Sequence, residues 1–194
     1  GKVGFVGSIG WYDYSFRHLA EPRAGVRATP IRVAGSAGGG PRFVAVAGAQ
    51  AVSWSELTSE DYRHKGLVWQ ADGAPHVATW SDAAHLDWQR SDRDMAEHFA
   101  RRMATQLEQV AGVARRVVAV THFVPFPEFV GPDIPDVTRA FARAYLGSPL
   151  MGQVLGECEQ LAAVVFGHRH RQEVRQVNGV LAVDASIARP GENP

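Results

Sequence analysis

The chain has 194 residues, a length that suits one compact domain of ordinary size. Apolar residues make up 45% and charged residues 21% of the chain, which excludes a wholly disordered, collagen-like or coiled-coil protein. Because 20 basic residues balance 20 acidic ones, the net charge of zero provides no long-range field for an extended nucleic-acid surface or an anionic membrane. The single cysteine, Cys158, cannot form an internal disulfide, and no signal peptide or membrane-spanning run is apparent. These features predict a cytoplasmic location.

The first half of the chain contains few regular patterns. Residues 3–7 form a short apolar run that predicts a strand, and this run leads into a loop rich in aromatic residues. Glycine, proline, alanine and arginine dominate residues 21–40, where we expect no regular element because such chain loses much entropy on ordering and buries little. A short helical pattern lies at 55–64. We interpret residues 21–80 as a glycine-rich irregular excursion within a single domain that spans residues 1–194.

A long helix is the clearest element of the chain. Ser91 and Asp92 are candidate N-cap residues, and apolar residues then recur at helical spacing along one face. These residues are Met95, Phe99, Met103, Leu107 and Val110. The pattern ends near Gly112, and the β-branched run at 116–121 predicts a buried strand that leads directly into His122.

Two further helices and a second buried strand follow. The helices are predicted at 135–146 and 149–159. The strand is predicted at 161–166, and the sequence Gly-His-Arg-His at 167–170 comes immediately after it. Strands that alternate with helices in this way indicate an α/β fold.

The chain ends with a predicted hairpin. Asn178 and Gly179 separate two strand-like runs, 173–177 and 180–184, and this dipeptide favours a tight turn because both positions tolerate positive φ. An antiparallel hairpin at the end of an α/β chain predicts a mixed sheet.

Three of the eight histidines follow the two buried strands. His122 ends the first strand, and His168 and His170 follow the second. Ligands gather at the carboxyl ends of parallel strands, and neutral imidazole is the commonest protein ligand of transition metals. The spacing therefore indicates a metal site but leaves open that these are structural loop histidines. The other five histidines share no ligand-like spacing: His18, His64, His76, His85 and His98.

These strand ends resemble a known family. The sequences V-T-H-F-V-P at 120–125 and V-F-G-H-R-H at 165–170 resemble the last two motifs of the calcineurin-like metallophosphoesterase superfamily, and residues 7–16 resemble an upstream segment of some bacterial members. The resemblance implies a hydrolase with two divalent metal ions (Mn, Fe, Zn or Mg) in a four-layer αββα sandwich. By matching positions, it implies that His122 and His168 ligate one metal and His170 the other.

Three earlier motifs of that family have no counterpart in this chain. These motifs are D-x-H, G-D-x-x-D or a similar pattern, and G-N-H-D or G-N-H-E, which supply the bridging carboxylate, an asparagine ligand and the histidine that protonates the leaving group. The two asparagines, Asn178 and Asn193, do not precede a histidine. We therefore expect that the chain corresponds to the C-terminal part of the family domain, with the missing motifs before Gly1. Because three neutral imidazoles do not neutralise two divalent ions, we expect these 194 residues alone to be catalytically crippled.

Four other residues are weaker candidates for the site. Arg169 is a candidate ligand of a substrate phosphate, although a solvated loop arginine is an open alternative. Trp11 and Tyr12 are candidates for stacking on a base or leaving group, and interior packing is the alternative. Asp184 is a candidate hydrogen-bond partner of a ligand histidine.

Together these patterns predict a metal-dependent phosphoesterase. Its substrate would be a small phosphomonoester or phosphodiester, and its nucleophile a metal-activated hydroxide. The alternative is a non-catalytic α/β module that binds a metal or a partner. We expect no membrane partner and no extended nucleic-acid partner.

Overall fold

A computed structural model describes residues 1–19, 29–32, 50–51, 54–63, 65–71, 74–82, 88–131 and 137–187. The chain divides into two compact units. The first unit comprises Gly1–Phe16, Arg90–Gly131 and Tyr145–Pro194, and the second comprises Arg17–Gln89 and Pro132–Ala144. Part of the expected excursion, residues 21–28 and 33–49, lies outside the described residues, as do His64 and His85.

The described helices and strands follow one another in this order: β1 (Val3–Ser8), β2 (Thr29–Arg32), β3 (Gln50–Ala51), α1 (Ser59–Arg63), β4 (Gly66–Ala71), β5 (Ala74–Thr79), α2 (Asp92–Ala111), β6 (Arg116–Thr121), α3 (Val137–Arg143), α4 (Pro149–Gly156), β7 (Leu161–Phe166), β8 (Gln172–Val177) and β9 (Val180–Ala185). Short 3-10 helices lie at Ser15–Leu19, Trp54–Glu56 and Pro127–Phe129. Within the described residues, no helix is both long enough and apolar enough to cross a lipid bilayer.

The first unit contains a mixed five-stranded sheet in the order β1, β6, β7, β9, β8. The first four of these strands are parallel, and β8 pairs with β9 in the antiparallel direction. The α/β class, the mixed sheet and the terminal hairpin are therefore confirmed, as are the strands at 116–121 and 161–166. The carboxyl ends of β1, β6, β7 and β9 all lie at one edge of this sheet.

The predicted long helix is α2, and Ser91 is its N-cap. The Ser91 hydroxyl accepts a hydrogen bond from the Asp94 backbone N–H, and the Asp94 side chain accepts one from the Ser91 backbone N–H. This capping box satisfies two of the backbone donors that a helix N-terminus leaves open. The buried face of α2, which includes Met103 and Leu107, packs against β1 and α4. Helix α4 begins at Pro149 as predicted and ends at Gly156 rather than at 159.

The two faces of the five-stranded sheet differ in burial. One face carries Val117, Ala119, Val164 and other fully buried residues into a core that α2 and α4 cover. The opposite face leaves large apolar side chains exposed, foremost Phe5 with 70% of its surface accessible. Others on that face are Val3, Val120, Val174 and Leu181.

The second unit contains an antiparallel sheet in the order β3, β2, β4, β5. Strand β2 lies inside the segment 21–40, where we expected no regular element. It forms because its residues pair with β4, a long-range contact that local composition does not encode. The helical pattern at 55–64 becomes a 3-10 turn and the short helix α1, whose Tyr62 stacks on Phe141 of α3 with ring centroids 5.8 Å apart.

Candidate metal site

The candidate site lies at the carboxyl ends of neighbouring parallel strands. The backbone N–H groups of His122 and Phe123 each donate to the carbonyl oxygen of Ile9, both at 3.1 Å, which ties the end of β6 to the end of β1. The Gly167 N–H donates to the His122 carbonyl oxygen at 3.1 Å, which ties the loop after β7 to the same place. Three loops are thus joined by backbone hydrogen bonds at one edge of the sheet.

His122 and His168 meet at this edge. The Nε2 atom of His122 lies 3.1 Å from the Nδ1 atom of His168, and the two ring planes are inclined by 73°. The His168 ring also lies against Phe123, with centroids 4.4 Å apart. Two nitrogen ligands bound to one tetrahedral ion at about 2.0–2.1 Å are themselves separated by roughly 3.3 Å. The spacing of this nitrogen pair therefore fits two ligands of a single metal ion.

His170 is held separately. Its Nδ1 atom lies 3.2 Å from the carbonyl oxygen of Ile187. A carbonyl can only accept a hydrogen bond, so this contact places a proton on Nδ1 and, in the neutral imidazole, leaves the lone pair on Nε2. Metal-binding histidines commonly donate their other ring N–H to a backbone carbonyl in this way. Among the residues that the structure describes, however, no group of three or more His, Cys, Asp or Glu side chains is arranged to hold a metal.

The backbone of the histidine loop is unusual. His168 has φ of 75° and His170 has φ of 57°, so two non-glycine residues adopt the left-handed region within three positions. Such conformations persist where the surrounding structure enforces them, and they concentrate at functional sites. By contrast, a Cβ at Gly167 would lie 3.8 Å from the Ser186 hydroxyl and 3.9 Å from Nδ1 of His122, which are ordinary contacts.

The Arg169 side chain forms ion pairs inside the protein. Its Nη1 atom lies 2.9 Å from Oε2 of Glu173 and 3.3 Å from Oδ2 of Asp184, and 10% of its side chain is exposed. The guanidinium carbon also lies 5.5 Å from the centre of the Phe129 ring. The structure thus pairs Arg169 with two carboxylates, and its contact with a substrate phosphate stays a prediction.

The pKa values of the two carboxylates shift in opposite directions. Burial raises the pKa of Asp184, and hydrogen bonds from Ser186 and the charge of Arg169 oppose this rise. Burial also acts to raise the pKa of Glu173, but hydrogen bonds from Arg169 and Arg175 outweigh it and hold that pKa below its ordinary value. The hydrogen-bond partner of Asp184 is Ser186, not one of the three histidines.

Trp11 and Tyr12 lie in a buried aromatic cluster. Trp11 is 4% exposed and Tyr12 is 0% exposed, and the two rings stack at 4.8 Å. Further members are Tyr14, Phe123 and Tyr145. The carboxylate of Asp92 accepts hydrogen bonds from the Trp11 indole N–H at 2.8 Å and from the Tyr14 hydroxyl. Both rings are therefore closed to a substrate in this conformation, and interior packing describes their position.

Two contributors to the site were not expected from the sequence. Phe123 packs against both His122 and His168, and Glu173 is the carboxylate nearest to Arg169. Each left a signal in the sequence: Phe123 directly follows a candidate ligand, and Glu173 follows Arg169 by four residues.

Comparisons with known proteins add little to this geometry. No family model matches the chain, and no curated protein sequence matches it. One solved structure is similar to it, described as "GAP50 the anchor in the inner membrane complex of Plasmodium", with 13% sequence identity and a TM-score of 0.30. That similarity covers 62% of this chain and 36% of the Plasmodium protein, so the chain spans about a third of its length. A TM-score this low carries no argument about fold or function.

Proposed function

We propose that this chain carries the histidine ligands of a metal-dependent phosphoesterase that hydrolyses a small phosphomonoester or phosphodiester. The observation that carries the proposal is the 3.1 Å separation between Nε2 of His122 and Nδ1 of His168 at the carboxyl edge of the sheet. The resemblance of these strand ends to the calcineurin-like metallophosphoesterases supports it.

The ligand assignment is the one that the resemblance implies by matching positions. His122 and His168 would share one divalent ion, and Nε2 of His170 would serve a second. A bound divalent ion supplies Lewis-acid stabilisation of phosphoryl charge and lowers the pKa of water. The chain's own contribution is orientation, since the Ile9 carbonyl holds the backbone at His122 and the Ile187 carbonyl holds the ring of His170.

In metal-free protein the His122 and His168 nitrogens face each other, and one of them must donate a hydrogen to the other. Binding of one ion by both nitrogens requires that hydrogen to leave the contact. A change of tautomer in one ring achieves this, so metal binding should change the imidazole signals of this pair.

The four-layer αββα sandwich is the architecture that we propose for this fold. Parallel sheets are normally covered on both faces, and here α2 and α4 cover one face while Phe5 and Val120 remain exposed on the other. A second sheet, itself backed by helices, would bury these side chains and complete the four layers.

Hydrolysis assays test the proposed function. Because the carboxylate motifs have no counterpart in these 194 residues, we expect the chain supplied with Mn²⁺ to hydrolyse p-nitrophenyl phosphate or bis(p-nitrophenyl) phosphate only slowly, and chelation to abolish that residual hydrolysis. His168→Ala should reduce the rate by about 100-fold or more, as expected for loss of a metal ligand or its support. His76→Ala is the matched control, because His76 is exposed in β5. Metal-independent hydrolysis, or equal rates in the two variants, would contradict the proposal, and metal binding without hydrolysis would favour the non-catalytic alternative.

A further inference from the structure

Arg169 has surroundings that a solvated loop arginine would lack. It separates His168 from His170 in the sequence, yet its guanidinium is buried against Glu173 and Asp184. We infer that this ion-pair network, Arg169 with Glu173 and Asp184, is a positioning device that holds His168 and His170 in the geometry that binds metal. The inference rests on the proposed function and identifies which residues outside the ligand set the site requires.

The two carboxylates are a cross-strand pair. Glu173 of β8 and Asp184 of β9 are directly opposite each other in the register of the terminal hairpin. Like charges in that relationship repel, and burial strengthens the repulsion because less solvent screens it. The Arg169 guanidinium contacts both carboxylates, and Arg175 supplies the second positive charge by pairing with Glu173, so the histidine loop contributes one of the two cations that the hairpin carboxylates require.

The same guanidinium reaches the loop that follows β6. It lies over the face of Phe129, which is itself fully buried and packs edge-to-face on Phe166 at 4.7 Å. A cation over an aromatic face gains electrostatic attraction from the ring. Arg169 therefore connects β8, β9 and the segment that begins at His122, which are the elements that surround the histidines.

The backbone of the loop explains why an anchor is needed. His168 and His170 both have positive φ, and a loop left to its local preferences would not adopt this conformation at two histidines. Arg169 is the residue between them, and its ion pairs fix the side-chain direction at the centre of the strained segment. Without those pairs the loop can relax, and the 3.1 Å contact between His168 and His122 is lost.

Arginine is specifically suited to this role. Its planar, five-donor guanidinium can contact two carboxylates and cover an aromatic ring at once, whereas the ammonium of lysine is a compact point charge. We therefore expect Arg169→Lys to retain the fold and lose much of the positioning effect. Arg169→Met removes the charge as well.

The test compares Arg169→Lys and Arg169→Met with Arg171→Met, a control at an exposed arginine of the same loop. The first readout is the imidazole ¹H–¹⁵N NMR spectrum of metal-free protein, in which we expect the signals of His122 and His168 to change in the Arg169 variants only. The second is calorimetric titration with Zn²⁺ alone, in which we expect affinity to fall about tenfold or more in both Arg169 variants.

A further variant separates positioning from simple stability. Arg169→Met combined with Asp184→Asn removes the uncompensated buried charge, so we expect thermal stability to recover while Zn²⁺ affinity stays low. Unchanged imidazole spectra and Zn²⁺ affinity in folded Arg169→Lys and Arg169→Met would overturn the inference, as would recovery of affinity along with stability in the double variant. If the unaltered chain binds no Zn²⁺, the proposed function fails, and the imidazole spectra still decide whether Arg169 positions the histidines.

Discussion

The Nε2 atom of His122 lies 3.1 Å from the Nδ1 atom of His168, although 46 positions separate the two residues in the sequence. The contact exists because β6 and β7 are adjacent and parallel, so the loops that follow them begin side by side. The central residues of both strands are apolar, and the histidines follow where each strand ends. The topology of the sheet thus brings two imidazole nitrogens together without a local sequence motif that spans both.

Shared ligation predicts non-additive loss of metal affinity. His122→Ala and His168→Ala should each weaken Zn²⁺ binding to one class of site, and the double variant should be little worse than either, because residues that act on one ion do not contribute independently. His170→Ala should act on a separate site, so its effect should add to that of His168→Ala. Calorimetric titration of the single and double variants measures these couplings. Fully additive losses for His122 and His168 would show that they do not share an ion.

The Glu173 carboxylate should stabilise the fold in a defined pH range. Its folded-state pKa is held below the ordinary value of 4.5, so the folded state binds fewer protons than the unfolded state between those two values. This contribution is fully present above pH 4.5 and is lost as the pH falls toward the folded-state pKa. We expect Glu173→Gln to lower stability at neutral pH and to weaken the loss of stability on acidification, as measured by urea unfolding between pH 3 and 7, roughly the range over which carboxylates titrate.

Asp184→Asn should change the pH dependence of stability in the opposite direction. Burial raises the folded-state pKa of Asp184 above 3.8, so its contribution to stability decreases as the pH rises from 3.8 through the folded-state pKa. The substitution should remove that decrease. The free energy of unfolding of the variant at neutral pH should therefore be higher than the raised pKa of Asp184 allows in the unaltered chain. Identical pH profiles for Glu173→Gln and Asp184→Asn would contradict the assigned directions.

Gly147 should not tolerate a side chain. A Cβ at this position would lie 2.1 Å from the carbonyl oxygen of Val124, with which Gly147 forms a parallel bridge beside the site. We expect Gly147→Ala to lower the free energy of unfolding by about 2 kcal/mol or more, because backbone on both sides must move. Gly156→Ala is the matched control: apart from its chain neighbours and its own helix backbone, no atom of the described residues lies within 4 Å of its Cβ. Alanine at the end of α4 should be neutral or stabilise by up to about 1 kcal/mol. Equal destabilisation of the two variants would contradict the contact at Val124.

An introduced charge should have very different effects on stability at two neighbouring residues of β1. Val6 is 5% exposed and lies in the core, whereas Phe5 is 70% exposed on the uncovered face. We expect Val6→Asp to destabilise the fold by several kcal/mol, since it buries an unpaired carboxylate, and Phe5→Asp to change stability by about 0.5 kcal/mol or less. Thermal unfolding of both variants checks the assignment, and dye binding to exposed apolar surface should decrease in Phe5→Asp. If Phe5→Asp destabilises the fold more than Val6→Asp does, the faces assigned to these two residues of β1 are wrong.

Much of the first unit can be predicted from the sequence because its helices and strands carry clear periodic patterns of apolar residues. The capping residues and apolar spacing of α2 identify it without its neighbours, and the Asn178-Gly179 turn fixes the register that sets Glu173 opposite Asp184. The positions of the three histidines after β6 and β7 can also be predicted from the sequence. The cap of α2 and the hairpin turn are each encoded within a few residues.

The remaining features depend on contacts that sequence spacing does not report. Strand β2 exists through its pairing with β4, and the inward direction of Arg169 depends on ion pairs with Glu173 and Asp184 of the terminal hairpin. Trp11 presented the same difficulty, because an aromatic loop residue can face a ligand or the interior, and here Asp92 provides an interior acceptor from a helix 81 positions away.

Anomalous X-ray diffraction from crystals of the 194-residue chain grown with Zn²⁺ tests the central claim most directly. The account predicts an anomalous peak about 2.0–2.1 Å from both Nε2 of His122 and Nδ1 of His168. Anomalous peaks confined to other residues, with the two imidazoles still in contact with each other, would contradict it.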